Sequence, residues 1–416
     1  MRATGDNLED LVHQAASVDI RGEVAATGYE SHPLLAKLKT LGTELWLDTG
    51  DLDLALSIWK TDLSALTTNN TLANQVVQSG AMDDVIKETS AKLQSAAPEL
   101  SEDELVTEIG FVINCRIALR LVEAFKVKVS VELHPSMARD MEQSLEYARR
   151  YYKVCPEYFI IKIPLTPEGF LTVRKLRQEG IPINFTLGFS ARQNYLAARL
   201  ANPDFVNVFL GRLNAVVKSN EAGNGNLVGE KATLATQAAV RECREKFSGV
   251  TTRLIGASIR NGDQLARLAG LDIFTIPPAS MTEFMESGRA PDEVVAYGGE
   301  ELKPGIDVGH SFSGRFTKLW EIPDDFKTFV DELMREESLD DMTGEDLVAF
   351  CEKRGIDLFS HFSEDDRERI YAHGKIPRLA YWPEAIALDD LMTQSALQSF
   401  TKDQDALDDR IRSFLQ

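Results

Sequence analysis

Eight short stretches with apolar centres alternate with helix-like stretches along this chain, and no other feature restricts the fold as much. The stretches are 45–48, 63–69, 129–133, 159–164, 182–189, 205–211, 252–258 and 272–277. Each carries Val, Ile, Leu or Phe near turn-forming residues, the composition of a strand. The segments between them carry helix signals. Ser101 with Glu104 makes a capping box ahead of a long apolar-periodic run. Thr166-Pro167-Glu168 is a helix start and Gly180 a helix stop. Residues 137–152, 191–200 and 230–247 are also helix-periodic. The alternation predicts an α/β fold, a parallel (β/α)8 TIM barrel with an additional helical C-terminal segment. An open doubly wound sheet is the competitor, and it usually brings a glycine-rich turn after its first strand. Here Gly223 to Gly229 reads G-x-G-x-x-x-G, does not open from a strand, and reads as a mobile loop, a candidate lid.

Four regions follow from the pattern. Residues 1–31 form a polar, loosely held N-terminal extension, and 32–299 the barrel with its catalytic site. Residues 300–385 are an acidic helical insertion, an elaborated loop with short helices near 324–337, 344–354 and 363–372. Residues 386–416 are a C-terminal helix, or two, packed on the barrel. Asp340, Asp341, Glu345 and Asp346 lack the alternating spacing of a calcium loop.

Charge narrows the partners. A net charge of −20 argues against nucleic acid and against anionic membrane. It also slows the approach of anionic metabolites, so a phosphorylated substrate needs a few arginines that reverse the field locally. No apolar run approaches a membrane span, and the first residues lack a signal-peptide core. The 4 cysteines are scattered and read as reduced thiols of a cytoplasmic protein. A monomer or homodimer is expected. The 6 histidines show no metal-ligand spacing.

Within the fourth stretch, Phe-Ile-Ile-Lys-Ile-Pro, Lys162 is a charge in an apolar run. Burial disfavours the charged form of an amine, and a neutral amine attacks a sugar carbonyl to form a Schiff base. The structural alternative is a lysine that snorkels from a strand end into water.

In a parallel barrel the chemistry sits at the C-terminal ends of the strands, and side chains alternate with a period of two. Strand one ends in Asp48, and strand two places Thr67 and Asn69 on one face. Strand three pairs Ser130 with Glu132, and strand five aligns Asn184, Thr186 and Gly188. Strand six pairs Asn207 with Phe209 ahead of Arg212, and strand seven puts Ser258 ahead of Arg260. Singly, each has a structural reading: Asp48 as a helix cap, Glu132 as partner of a lysine such as Lys128, the arginines as surface charges. Together they describe a barrel end too polar to bury without a function. The chemistry that suits them is a retro-aldol cleavage through an imine, with Asp48 and Glu132 as the two acid/base groups. Asn69 and Asn184 suit sugar hydroxyls. Arg212, Ser258 and Arg260 suit an anion, helped if the helix after Asn261 aims its N-terminus there.

Seven of these motifs, in this order, resemble those of the transaldolase family. They are Trp-Leu-Asp-Thr-Gly-Asp (46–51), Thr-Thr-Asn (67–69), Val-Ser-Val-Glu (129–132), Ile-Lys-Ile-Pro (161–164), Ile-Asn-Phe-Thr-Leu-Gly-Phe-Ser (183–190), Phe-Leu-Gly-Arg (209–212) and Gly-Ala-Ser-Ile-Arg-Asn (256–261). The likeness runs from about Lys37 to Glu286, and 399–407 is similar to the family's closing helix. The resemblance implies that Lys162 forms the Schiff base with a ketose phosphate and Asp48 is the acid/base at the cleaved bond. Glu132 would act through a water positioned by Thr186. Asn69, Asn184 and Asn207 would bind the donor, Phe209 would line the pocket, and Arg212, Ser258 and Arg260 would bind phosphate. It implies sugar-phosphate substrates and no metal or organic cofactor. The implied reaction moves a dihydroxyacetone unit from sedoheptulose 7-phosphate to glyceraldehyde 3-phosphate in the pentose phosphate pathway. A fructose 6-phosphate aldolase is the nearest alternative, and that group places tyrosine where Glu132 stands. A non-catalytic sugar-phosphate-binding barrel is the other. Asn207 stands where the family usually has serine, Asn70 where proline is common, and 300–385 is longer than the usual connection. The two asparagines bear on donor preference.

Overall fold

Eight parallel strands close on themselves in chain order. They are β1 (Glu44–Asp48), β2 (Leu63–Thr67), β3 (Lys128–Glu132), β4 (Phe159–Pro164), β5 (Ile183–Thr186), β6 (Phe205–Phe209), β7 (Arg253–Ala257) and β8 (Ile273–Ile276). The computed structural model describes residues 5–18 and 28–415. Helices lie between successive strands, so the architecture is the TIM barrel that the alternation predicts.

All eight expected strands are present, several ending earlier than expected. Asn69 has left β2 to become the N-cap of the helix Asn70–Gln78. Gly211 already lies in the helix Leu210–Ser219. The Asn69 side-chain oxygen accepts from Leu72 N–H, so this residue caps a helix rather than extending the ladder. In β4 all six residues are buried, Lys162 included. The capping box holds: Ser101 N–H donates to Glu104 Oε2 at 2.9 Å, opening the helix Glu102–Phe125.

Three expectations need correction. Residues 5–16 are not loosely held; they form the helix Gly5–Ala16, whose Val12 and Ala16 are fully buried and which packs on Glu102–Phe125. An apolar stripe on a largely polar segment is enough to dock it. Residues 1–4 and 19–27 of that extension lie outside the described residues.

The glycine run at 223–229 is no lid. Gly225 N–H donates to Gly305 O at 2.9 Å, Gly305 N–H to Asn226 O at 2.7 Å, and Asp307 N–H to Ala222 O at 2.8 Å. Gly223, at φ +140°, sits where a Cβ would lie 2.2 Å from Gly305 O. The glycines permit close backbone approach, and the approach pins the loop.

The 300–385 segment has its three expected helices, as Asp324–Leu333, Gly344–Lys353 and Glu364–His373, but it is a packed layer rather than an elaborated loop. Asp324–Leu333 packs on Ala191–Leu200, and Gly344–Lys353 packs on Pro167–Gln178. Phe326, Phe329, Val330, Leu333, Leu347 and Cys351 join the barrel's continuous core. Arg199–Asp331 and Arg174–Asp340 ion pairs, at 2.9 and 2.8 Å, flank those contacts.

The chain closes with a single helix, Leu388–Arg412, held by polar contacts to the loops after several strands. Asn70 Nδ2 donates to Gln404 Oε1 at 3.0 Å, and His134 Nε2 lies 3.2 Å from Asp408 Oδ2. Thr393 Oγ1 donates to Leu187 O at 2.9 Å. Asp389 accepts from Ser190 Oγ at 2.6 Å and from Arg192 Nε and Nη2 at 2.8 and 2.9 Å. These partners all follow the C-terminal ends of β2, β3 and β5, so this helix lies over that end of the barrel.

Candidate active site

A cavity of about 400 Å³ opens at this end of the barrel. Nine of the eleven residues singled out from sequence line it: Asp48, Asn69, Lys162, Asn184, Asn207, Phe209, Arg212, Ser258 and Arg260. Glu132 and Thr186 lie behind that surface.

Lys162 reaches the cavity from β4. Its Nζ lies 3.1 Å from Glu132 Oε2, with the two side chains 5% and 4% exposed. The same Nζ donates to Thr68 O at 3.1 Å. Glu132 and Lys162 are register partners on β3 and β4, and Lys162 and Asn184 are partners on β4 and β5. Parallel pairing thus sets Glu132, Lys162 and Asn184 side by side.

Asp48 accepts from Thr67 Oγ1 at 2.6 Å, and Thr67 also bonds the hydroxyl of Thr275 on β8. Burial pushes the Asp48 carboxyl up from its usual range, and the Lys162 charge, the Thr67 hydroxyl and the Arg260 charge pull it back. Burial also pushes Glu132 up, with Lys162 opposing. Both carboxyls therefore hold a proton more readily than a solvated carboxylate, as an acid/base group needs.

The asparagines form a chain. Asn207 Nδ2 donates to Asn184 Oδ1 at 2.9 Å, and Asn184 Nδ2 donates to Ser130 Oγ at 3.1 Å. That arrangement leaves Asn207 Oδ1 buried and without a partner. Thr186 Oγ1 and one guanidinium nitrogen of Arg212, Nη1, are likewise buried and unpartnered. Natural cores rarely leave such groups unmet, and here they surround one cavity's wall. Asn69 Oδ1 is committed to its helix cap, accepting from Leu72 N–H at 2.9 Å. Asn70 does not line the cavity; its side chain ties the C-terminal helix.

The cationic end is built by the helix that follows β6 and the loop that follows β7. Arg212 sits in the first turn after β6, with its guanidinium carbon 5.6 Å from the Phe209 and Phe400 ring centres. Ser258 follows β7 at φ +60°, a strained conformation for a serine. Gly211 makes this packing possible: a Cβ there would lie 2.3 Å from Ser258 O and 2.6 Å from Arg260 Nε. Burial and the neighbouring Arg260 charge push Arg212 down to about 10, against the pull of Glu132 and Asp403. Two guanidiniums so placed gain from an anion between them. The following helix, Gly262–Arg267, adds less than expected. Asn261 Oδ1 accepts from Gln264 N–H at 3.0 Å and Gln264 Oε1 from Arg260 N–H at 2.7 Å, so these amides are satisfied internally.

Sequence reasoning missed Thr275, Lys375, Phe400 and Asp403, which also line the cavity. Thr275 was visible as the polar residue of Ile-Phe-Thr-Ile in β8. Lys375 has no local signal, and Phe400 and Asp403 lie in 399–407, whose likeness to the family's closing helix gave them no site role. Among the described residues no group of three or more His, Cys, Asp or Glu side chains is placed to hold a metal. No described helix is long and apolar enough to cross a membrane.

The family described as transaldolase/fructose-6-phosphate aldolase matches residues 45–337. A transaldolase of Protochlamydia amoebophila is 29% identical over 280 residues, which are 64% of this chain and 83% of that protein. One from Mannheimia succiniciproducens is 30% identical over 269 residues, 62% of this chain and 80% of its own length. One from Prochlorococcus marinus strain MIT 9301 is 26% identical over 344 residues, 79% of this chain and 97% of its own.

Proposed function

The chain belongs to the transaldolase/fructose-6-phosphate aldolase family, and from that premise we propose that it is a transaldolase working through a Schiff base on Lys162. It transfers a dihydroxyacetone unit from sedoheptulose 7-phosphate to glyceraldehyde 3-phosphate, giving erythrose 4-phosphate and fructose 6-phosphate. The place of that reaction is the pentose phosphate pathway, in the cytoplasm. The observation that carries the reading is Lys162, 3.1 Å from Glu132 behind it, lining a cavity with Asp48, Arg212 and Arg260.

The amine of Lys162 adds to the ketose carbonyl, and loss of water from the carbinolamine leaves an iminium. Glu132, whose carboxyl burial pushes up against the pull of Lys162, supplies the proton that releases hydroxide as water. Thr186, with its unpartnered hydroxyl, holds the water through which that proton passes. Asp48 takes the proton from the hydroxyl on the carbon that becomes an aldehyde, and the carbon–carbon bond electrons move into the iminium. The resulting enamine stays on Lys162 until the acceptor aldehyde arrives and the steps reverse. Asn184 and Asn207 hold donor hydroxyls, Phe209 walls the cavity, and Arg212, Ser258 and Arg260 take the phosphate.

Glutamate at 132, where the aldolase branch carries tyrosine, favours group transfer over release of free dihydroxyacetone. The test is borohydride trapping with fructose 6-phosphate, read by peptide mass. An adduct on Lys162 that disappears when erythrose 4-phosphate is added, as sedoheptulose 7-phosphate forms, supports the reading. An adduct with release of free dihydroxyacetone would make it an aldolase, and no adduct would remove the Schiff base.

A further inference from the structure

The 300–385 layer does more than pack on the barrel, because it sends one side chain into the cavity. That side chain is Lys375, which lines the same cavity as Arg212, Ser258 and Arg260. It follows Gly374, whose φ of +73° ends the helix Glu364–His373 and turns the chain. The backbone just beyond is fixed. Asn220 Nδ2 donates to Pro377 O at 3.0 Å, and Leu379 N–H donates to Asn220 Oδ1 at 2.7 Å. Asn220 is the C-cap of Leu210–Ser219, the helix whose first turn carries Arg212. Pro377 and Leu379 are buried. Lys375 therefore hangs from a clamped backbone, and the clamp belongs to the element that positions Arg212.

Among the described residues Lys375 has no ion pair or hydrogen bond. Its ammonium is thus free to meet an anion in the cavity. In the same cavity Arg212, 8% exposed, keeps a buried guanidinium nitrogen without a partner. Two unmet cationic groups, one buried and one at the solvent side, bracket a site for an anion of more than one charge.

We propose that Lys375 is a phosphate-binding residue of this active site, a cation that the inserted layer adds to Arg212 and Arg260 to select monophosphorylated sugars. The proposal rests on the transaldolase reading of the cavity. Its physical content is that the inserted layer counters the chain's negative field at the cavity mouth, where the arginines repel each other. The ammonium is solvent-exposed, so its contribution is modest and screened by salt.

The experiment compares the full-length protein with Lys375→Ala, Lys375→Arg and Lys375→Glu. Calorimetry with inorganic phosphate gives affinity without turnover. Kinetics give KM and kcat for fructose 6-phosphate and for unphosphorylated fructose as donors. Alanine is expected to weaken phosphate binding and raise KM for the phosphorylated donor about two- to fivefold at low salt, with kcat little changed. Glutamate is expected to raise both further and arginine to restore them. Phosphate affinity unchanged in both the alanine and glutamate variants overturns the proposal, as does an equal effect on both donors. Failure of the transaldolase reading shows differently: the unsubstituted protein then forms no borohydride adduct, while the calorimetry still decides for or against Lys375.

Discussion

Glu132 and Lys162 are register partners on adjacent parallel strands, and their side chains meet at 3.1 Å inside the barrel end. Both side chains are buried, at 5% and 4% exposure. Glu132 is pushed up by burial and held back by Lys162. Removing one member of a buried pair usually leaves an uncompensated charge. Here the carboxyl has an outlet, since it can keep a proton.

Lys162→Met is therefore expected to abolish turnover while leaving the fold in place. The rate should fall by at least about a thousandfold, as for loss of a covalent nucleophile. A coupled assay and far-ultraviolet circular dichroism measure the two halves. Retained turnover would remove Lys162 from the chemistry.

Glu132→Gln keeps the shape and loses the proton. It should lower kcat by about a hundredfold and slow imine formation, measured by single-turnover borohydride trapping. Because the Glu132 carboxyl is raised, its protonated form persists above the ordinary carboxylate range. The unsubstituted enzyme should lose rate as pH rises through that raised value. The glutamine variant should lack that alkaline limb.

Gly211→Ala should damage phosphate binding without touching phosphate. The added Cβ meets Ser258 O at 2.3 Å and Arg260 Nε at 2.6 Å, so the loop after β7 has to move. KM for fructose 6-phosphate should rise by roughly tenfold or more, comparable to Arg212→Ala, which removes a charge-assisted contact. An unchanged KM in Arg212→Ala would make that guanidinium structural only.

Asp390 gives a stability signature. Its carboxyl is pushed up to about 7 by burial and the neighbouring Asp389, against the pull of the Ser360 N–H at 2.8 Å, Gln394 and Arg139. The raised group binds its proton more tightly folded than unfolded, so its stabilisation is complete below the unfolded value of 3.8 and is lost as pH rises to about 7. Across that window the loss is on the order of a few kcal/mol. Thermal melts at pH 5 and pH 8 should show it, and Asp390→Asn should flatten the difference.

Arg192→Ala tests the anchor of the closing helix. Asp389 is 2% exposed and takes two guanidinium hydrogen bonds, so losing the arginine strands its charge. The expected cost is roughly 3–5 kcal/mol, seen as a lowered Tm. Arg192→Ala with Asp389→Ala should recover part of it, because the stranded charge goes too. Phosphate affinity should fall as well, since Phe400 and Asp403 reach the cavity from this helix.

The strands and most of the cavity were legible in the chain because both are local. A period of two places Ser130 with Glu132, and Asn184 with Thr186, on one face whatever the rest of the molecule does. Barrel closure then turns eight such strand ends toward one place. Local pattern misjudged the glycine run, because the partner that pins Gly225 is the distant carbonyl of Gly305. It also attached Asn70 to donor preference, when its amide reaches Gln404, 334 positions away.

The sequence by itself determined the eight-fold alternation, the buried lysine of β4 and the carboxylates and arginines at the strand ends. These follow from periodicity and from the cost of burying a charge within a few residues of it. Only the tertiary structure decided that the 300–385 layer and the closing helix lie against the barrel, bringing Lys375, Phe400 and Asp403 to the cavity. Those contacts join segments far apart in the chain. Surface complementarity between packed helices makes them, and no short stretch of sequence carries it.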